Sequence, residues 1–158
     1  MTDILVGYYS NTGNTKKMAE VVANGVEDAN GNAEIKKIGE INKEDLKSAD
    51  GIILGSPTYY GSAVKEVFEL FEKSNSIRGG LNLKVGAAFA SSYHRAGGNE
   101  TTILSILRAM LIHGMVIVGD PIDTGGHYGA VSIGSPDSQS KDECFALGRR
   151  VTEVSRKI

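Results

Sequence analysis

The sequence predicts an α/β protein built on a doubly wound parallel sheet. Three features predict it. Short apolar runs alternate with segments of helical periodicity along the whole chain. One run, Gly51-Ile52-Ile53-Leu54-Gly55, is apolar at every position, as a strand covered on both faces must be. The segments that leave the strand ends are polar and rich in glycine, where an open parallel sheet binds its ligands.

The elements follow in order. Ile4 to Tyr8 is the first strand. Thr15 to Ala29 is a helix, because Met18, Val22 and Val26 recur every fourth residue with Val21 beside them. Asn30-Gly31 stops it. Glu34 to Ile38 mixes Ile35 and Ile38 with charged residues, as an edge strand does. Asn42 to Ser48 is a short polar helix. Gly51 to Gly55 is the third strand, and Ala63 to Lys73 a helix with Val64, Val67, Phe68 and Phe71 on one face. Lys84 to Ala90 is strand four. Glu100 to His113 is a helix turning Ile103, Leu104, Leu107 and Leu111 inward. Met115 to Val118 is strand five, and a last helix begins at Lys141 and carries Phe145, Leu147, Val151 and Val154. Right-handed crossovers then leave few topologies.

Composition narrows the class. At roughly 100–200 residues per domain, 158 residues are expected to form one domain over residues 1–158. An apolar content of 41% and a charged content of 23% exclude a disordered chain, a coiled coil and a disulfide scaffold. A formal net charge of −2 argues against a nucleic-acid partner held through phosphates. The single cysteine, Cys144, fits a reducing compartment and a packing role on the last helix. Met1 to Leu5 shows no basic or cleavable apolar segment. Ile103 to Val118 is interrupted by Arg108 and His113, short of the ~18 clean residues a membrane span needs. A cytoplasmic protein without membrane insertion is expected. Glycine is the anomaly: 20 residues, nearly twice the usual share of ~7%. Many fall in the segments Ser10–Thr15, Ser56–Ser62, Ser91–Asn99 and Asp120–Gly134, together with Tyr59, Tyr60, Tyr93, Tyr128, His94 and His127.

Ser10-Asn11-Thr12-Gly13-Asn14-Thr15 joins the first strand to the first helix. It offers three hydroxyls, two carboxamides and a run of amides at a helix N-terminus, which is the chemistry of a phosphate cradle. Gly13 allows the tight turn. A plain polar turn with a Ser or Thr cap is the competing reading. Lys16 and Lys17 follow, where cations oppose the helix dipole and a bound anion would relieve them. Neither G-x-x-x-x-G-K-[ST] nor G-x-G-x-x-G is present, which disfavours a nucleoside triphosphate and a dinucleotide-fold NAD site. A phosphotransfer receiver lacks its acidic residues, since the strand ends read Tyr8-Tyr9-Ser10 and Ser56-Pro57-Thr58. A small tyrosine phosphatase lacks its loop cysteine.

Gly55-Ser56-Pro57-Thr58-Tyr59-Tyr60-Gly61 follows the third strand, and Ser91-Ser92-Tyr93-His94-Arg95-Ala96-Gly97-Gly98-Asn99-Glu100 the fourth. Between them a flat ring can lie against aromatic faces and backbone amides, although rim tyrosines also serve simple packing. The motifs Tyr8-Tyr9-Ser10-x-x-Gly13, Gly55-Ser56-Pro57-Thr58, Phe89 through Gly98-Asn99-Glu100, His113-Gly114-Met115-Val116-Ile117-Val118 and Gly125-Gly126-His127-Tyr128-Gly129-Ala130 occur in order over nearly the whole chain. In them the sequence resembles the flavodoxin-like FMN proteins, and among these the WrbA-type NAD(P)H:quinone oxidoreductases.

The resemblance implies a three-layer sandwich with a five-stranded parallel sheet in the order 2-1-3-4-5. It implies FMN as cofactor, its phosphate held by Ser10 to Thr15. Thr58, Tyr59 and Tyr60 would contact the ring, in a loop shaped by Pro57 and Gly61. Ser92 to Gly97 would carry the ring's other edge and the ribityl chain, with Arg95 near negative charge on the reduced ring. The family's dimer or tetramer is implied as well. Three departures stand out. Ile112-His113 replaces a pair of histidines, Ser76-Ile77-Arg78-Gly79-Gly80 replaces a Trp-bearing segment, and the stretch between strands two and three is short.

The expected function is electron transfer from NADH or NADPH to quinones or similar flat acceptors. A one-electron flavodoxin-type carrier and a flavin-binding redox-sensing module are the alternatives. No metal-ligand spacing is evident among the three histidines. His127 is the candidate proton donor to a reduced quinone, and His113 a cap where the fourth helix ends.

Overall fold

The computed structural model describes residues 1–158. Its strands are β1 (Thr2–Tyr8), β2 (Gly31–Lys37), β3 (Gly51–Pro57), β4 (Val85–Ser92), β5 (Val116–Ile117) and β6 (Ala130–Ile133). Its α-helices are α1 (Asn14–Asp28), α2 (Lys43–Ser48), α3 (Lys65–Lys73), α4 (Asn99–Ile112) and α5 (Ser138–Ser155). All strand pairs are parallel, in the order β2-β1-β3-β4-β5, with β6 also on β4. The expected order therefore holds. No helix is long and apolar enough to cross a membrane.

The strand period of two divides the core into two layers. Ile4, Val6, Ile53, Val85, Ala87 and Phe89 face α1 and α5 with Met18, Val22, Val26, Cys144, Leu147 and Val151. Leu5, Ile52, Leu54, Ala88 and Ala90 face the other way, against Leu46, Val67, Leu70, Ile103, Ile106 and Met110 of α2, α3 and α4. β3 is buried at six consecutive positions, which explains its unbroken apolar run. β2 is the edge strand, and Ile35 on it is exposed.

Helix ends follow local chemistry. Asn42 caps α2 by accepting from the Glu44 and Asp45 amides (2.8 and 3.0 Å), and Asp45 returns a bond from the Asn42 amide (2.9 Å). Lys84 donates to the Lys47 and Ala49 carbonyls at the other end of that helix. Asp137 accepts from the Ser140 amide (2.8 Å) and starts α5 before the expected Lys141. His113 does cap α4: Nδ1 donates to the Ala109 carbonyl (3.0 Å), Nε2 meets Ser74 Oγ (2.9 Å), and the ring packs on Phe71.

The fifth strand differs from expectation. Met115 to Val118 was expected to pair throughout, but only Val116 and Ile117 do, against Val85 and Gly86. Gly119 packs directly on the His127 carbonyl, and Pro121 has no N–H to continue a ladder. The chain leaves the edge and returns as β6, which pairs with Phe89 to Ser92. The expected loop Asp120–Gly134 therefore contains a strand. Four residues, Ala-Val-Ser-Ile, are too few to announce an alternation.

α1 and α5 cross at two glycines. A Cβ on Gly25 would lie 2.0 Å from the Phe145 carbonyl oxygen, and one on Gly148 2.0 Å from that of Val22. Gly148→Ala would gain up to ~1 kcal/mol of helix propensity. The overlap is with backbone, so the helices must separate, at a cost of about 3 kcal/mol that outweighs the gain. The urea midpoint of Gly148→Ala is expected to fall accordingly. Gly39→Ala, at a site with open space, should leave it unchanged or slightly raised.

Cys144 is fully buried, and burial pushes its thiol up to about 12, with Glu143 adding to the effect. The thiol stays protonated and unreactive in the fold. A disulfide reagent at pH 8 should find no thiol in the native protein and a single one after denaturation.

Candidate functional site

The carboxyl ends of β1, β3 and β4 open onto a slot with three walls. Asn11, Thr12, Asn14 and Thr15 form the first, Pro57, Thr58 and Tyr59 the second, and Ser91, Ser92 and Tyr93 the third. It is open to solvent, with an enclosed volume of about 30 Å³.

The first wall is shaped by Gly13, whose φ of 100° lets the chain turn into α1. Ser10 Oγ accepts from the Gly13 amide (3.1 Å), and the Gly13 carbonyl accepts from Lys17 N–H (3.1 Å). The Asn11, Thr12, Asn14 and Thr15 amides make no bond within the chain. Free amides at the positive end of a 15-residue helix can receive an anion. The Thr15 hydroxyl is not free: it is buried against Ser91 Oγ at 2.9 Å.

The second wall ends in a tight reversal. Tyr59 N–H donates to the Ser62 carbonyl (3.0 Å) and Ser62 N–H to the Tyr59 carbonyl (3.1 Å). Tyr60 and Gly61 between them have φ of 53° and 73°. This is the hairpin turn that normally takes Asn-Gly. Tyr60 is fully exposed at its tip. Ser56 stiffens the exit by donating to the Pro57 carbonyl (2.7 Å) and accepting from the Val64 amide (3.0 Å).

The third wall folds on itself. Ser92 Oγ donates to the His94 carbonyl (3.0 Å), as does Gly97 N–H (2.8 Å). The Ala96 amide donates to His94 Nδ1 (3.1 Å), so that nitrogen is the unprotonated one. Tyr93 is largely exposed, and Arg95 is exposed without an ion-pair partner.

The structure thus gathers Asn11, Thr12, Asn14, Thr15, Pro57, Thr58, Tyr59, Ser92 and Tyr93 around one slot. Ser10, Gly13, Tyr60, Gly61, His94, Arg95, Ala96 and Gly97 belong to the same loops without lining it. Ser91 lines it too; the sequence reading placed it in the rim segment but not among the cofactor contacts.

His127 is not brought to the slot. It lines a cavity of about 300 Å³ on the sheet edge with Glu100, Ile103, Asp120 and Glu143. It precedes β6, whose first residue pairs with Phe89, about 10 Å below the end of β4. Buried Asp120 holds the excursion by accepting from the His127 amide (3.0 Å) and Thr124 Oγ1 (3.2 Å). Burial holds the Glu143 carboxyl above the usual range, against the opposing bond from the Val131 amide.

Comparison with known proteins agrees with this geometry. The model of the flavodoxin domain family matches residues 5–107. A protein of Aquifex aeolicus named flavodoxin is 39% identical over 160 residues, covering 97% of this chain and 86% of the relative. One of Archaeoglobus fulgidus named NAD(P)H dehydrogenase (quinone) is 32% identical over 190 residues, covering both chains fully. The solved structure of a WrbA-like flavodoxin from Agrobacterium tumefaciens superposes with a TM-score of 0.86 at 25% identity, over 99% of each chain.

A left-handed backbone costs a residue other than glycine roughly 1–2 kcal/mol. Tyr60 makes no contact that would repay it, so Tyr60→Gly should stabilise the protein by about 1 kcal/mol. For a chain of this size the thermal midpoint should rise by roughly 3 °C.

Proposed function

Because the chain belongs to the flavodoxin domain family, we propose that it binds FMN in the slot and passes electrons from NADH or NADPH to quinones or similar flat acceptors. The observation that carries this is the cradle of unpartnered amides at the start of α1, opening into a slot flanked by tyrosines. Full-length relatives named NAD(P)H dehydrogenase (quinone) support the same reading. FMN, when bound, supplies the hydride and electron chemistry, and the protein supplies binding, orientation and electrostatics.

In this reading the cradle amides hold the phosphate, with Ser10, Thr12, Asn11 and Asn14 as side-chain donors and Gly13 shaping the turn. Thr15 anchors the cradle to β4 through Ser91. Pro57, Thr58, Tyr59, Tyr60 and Gly61 form one side of the ring's bed. Ser92, Tyr93, His94, Ala96 and Gly97 form the other, and Arg95 offers positive charge beside it. The slot and the His127 cavity share no lining residue. Protons for a reduced quinone are therefore assigned to solvent.

The carrier reading has its own support in the relative named flavodoxin. Charge favours the enzyme. Lys16, Lys17 and Arg95 follow or flank the slot, and of these only Lys16 is near a carboxylate, Glu20 at 3.9 Å. Such a rim attracts an anionic nucleotide.

The test is an anaerobic visible spectrum of the FMN-reconstituted protein. NADH or NADPH is expected to bleach the flavin band, and benzoquinone to restore it. A bound flavin that ignores both nucleotides but yields to a chemical reductant would replace the enzyme with the carrier. A protein that retains no FMN would overturn the slot assignment.

A further inference from the structure

A series of hydrogen bonds crosses beneath the slot, through residues mostly outside the assignments above. Thr15 on α1 meets Ser91 on β4, side chain to side chain at 2.9 Å. The Ser91 carbonyl accepts from the Thr58 amide at 2.8 Å. The Thr58 hydroxyl accepts from Thr102 Oγ1 on α4 (3.0 Å) and donates to Asn99 Oδ1 (3.3 Å). Asn99 Nδ2 donates in turn to the Ser132 carbonyl on β6 (3.3 Å).

Asn99 is the junction of this series. It is 4% exposed. A carboxamide offers an acceptor and a donor in one plane. Here the acceptor takes the turn at Thr58 and the donor takes β6. Its neighbour Gly98 lies so near the same turn that a Cβ there would stand 2.9 Å from Gly61 Cα. One backbone contact and one side-chain bond therefore clamp the Thr58–Ser62 turn to the start of α4, where the loop through Tyr93 ends. Both donors of Thr58 are consumed, the amide by Ser91 and the hydroxyl by Asn99. Thr58 has no hydrogen left to offer a ligand in the slot.

We infer that Asn99 is a positioning residue of the slot, fixing the spacing of its second and third walls through Thr58 on one side and Ser132 on the other. This rests on the slot's being the FMN site. Asn99→Leu keeps the number and branching of the side-chain heavy atoms and removes both bonds. The buried Ser132 carbonyl then loses its side-chain partner, and the Thr58 hydroxyl turns to the slot or to water.

The experiment compares the wild type with Asn99→Leu and Thr102→Val by two readouts. One is amide hydrogen exchange in the FMN-free protein. The other is FMN titration, read by fluorescence quenching and the shape of the bound flavin's visible band. In Asn99→Leu the Tyr59 and Ser62 amides should exchange about tenfold faster while β1 stays protected, and the FMN Kd should rise about tenfold. The fine structure of the visible band should blur as the ring's bed loosens. Thr102→Val leaves the Asn99 bond in place and should move each quantity in the same direction by about threefold. Unchanged exchange at Tyr59 and Ser62 with an unchanged Kd would overturn the inference. Should Asn99→Leu fail to fold, Asn99→Ala, which removes both bonds without adding bulk, decides by the same signs. A wild type that binds no FMN sinks the reading of the slot, while the exchange arm still decides whether Asn99 holds the turn.

Discussion

The backbone contact between α1 and α5 sets the frame on which the slot depends. Each helix presents a glycine to a carbonyl of the other, Gly25 to Phe145 and Gly148 to Val22. Glycine in a helix interior costs roughly 1 kcal/mol against alanine. Here the two glycines bring α1 close enough to α5 for Met18, Val22, Cys144, Leu147 and Val151 to pack as one layer of the core. The axis of α1 is thereby fixed at its C-terminal half, and its N-terminus is delivered to the end of β1. The free amides at the start of α1 are thereby held in a fixed arrangement. Thr15, pinned to Ser91, completes the restraint at the other end of the helix.

The slot floor solves a second problem. A parallel sheet buried on both faces leaves polar groups at its carboxyl end next to a dry core. Burying a hydroxyl or carboxamide without a partner costs about 1–3 kcal/mol. Thr15, Ser91, Thr102, Ser105 and Asn99 are all buried, and each finds a partner on another element or on its own helix. The exception lies far from the slot: Ser155 Oγ, next to Gly51 at the amino end of β3, has no partner. Polar satisfaction is thus concentrated where rim loops must hold their places.

Much of this was legible in the sequence because it follows from local rules. The unbroken run Gly51 to Gly55 announced a two-sided strand, and the four-residue spacing of Met18, Val22 and Val26 announced α1. The hydroxyl- and amide-rich loop with Gly13 announced a polar turn into α1, and its amides are unpartnered there. What escaped reading is set by distant partners. β6 is too short for a pattern and exists because Phe89 to Ser92 need a neighbour at the edge. His127 follows a glycine pair in a rim-like loop, yet the excursion closed by Asp120 leaves it on the sheet edge. Asn99 reads as the last residue of the rim segment Ser91–Asn99, and only the fold brings it to Thr58 and Ser132. For Gly25 and Gly148 the signal was present, since an isolated glycine in a helical pattern usually has a packing reason. Its partner was not.

The Tyr60 turn brings these strands of argument together. A fully exposed tyrosine gains nothing from burial, and its left-handed backbone is strained by roughly 1–2 kcal/mol. Asn in its place would relieve most of that. The strain persists because the turn is held at both ends, by the Tyr59–Ser62 pair and by the clamp of Gly98 and Asn99. Residues held in sparse backbone regions cluster at ligand clamps, where the surroundings over-determine them. Here the surroundings do over-determine it, because the turn cannot relax without breaking the Tyr59–Ser62 pair or the Asn99 bond.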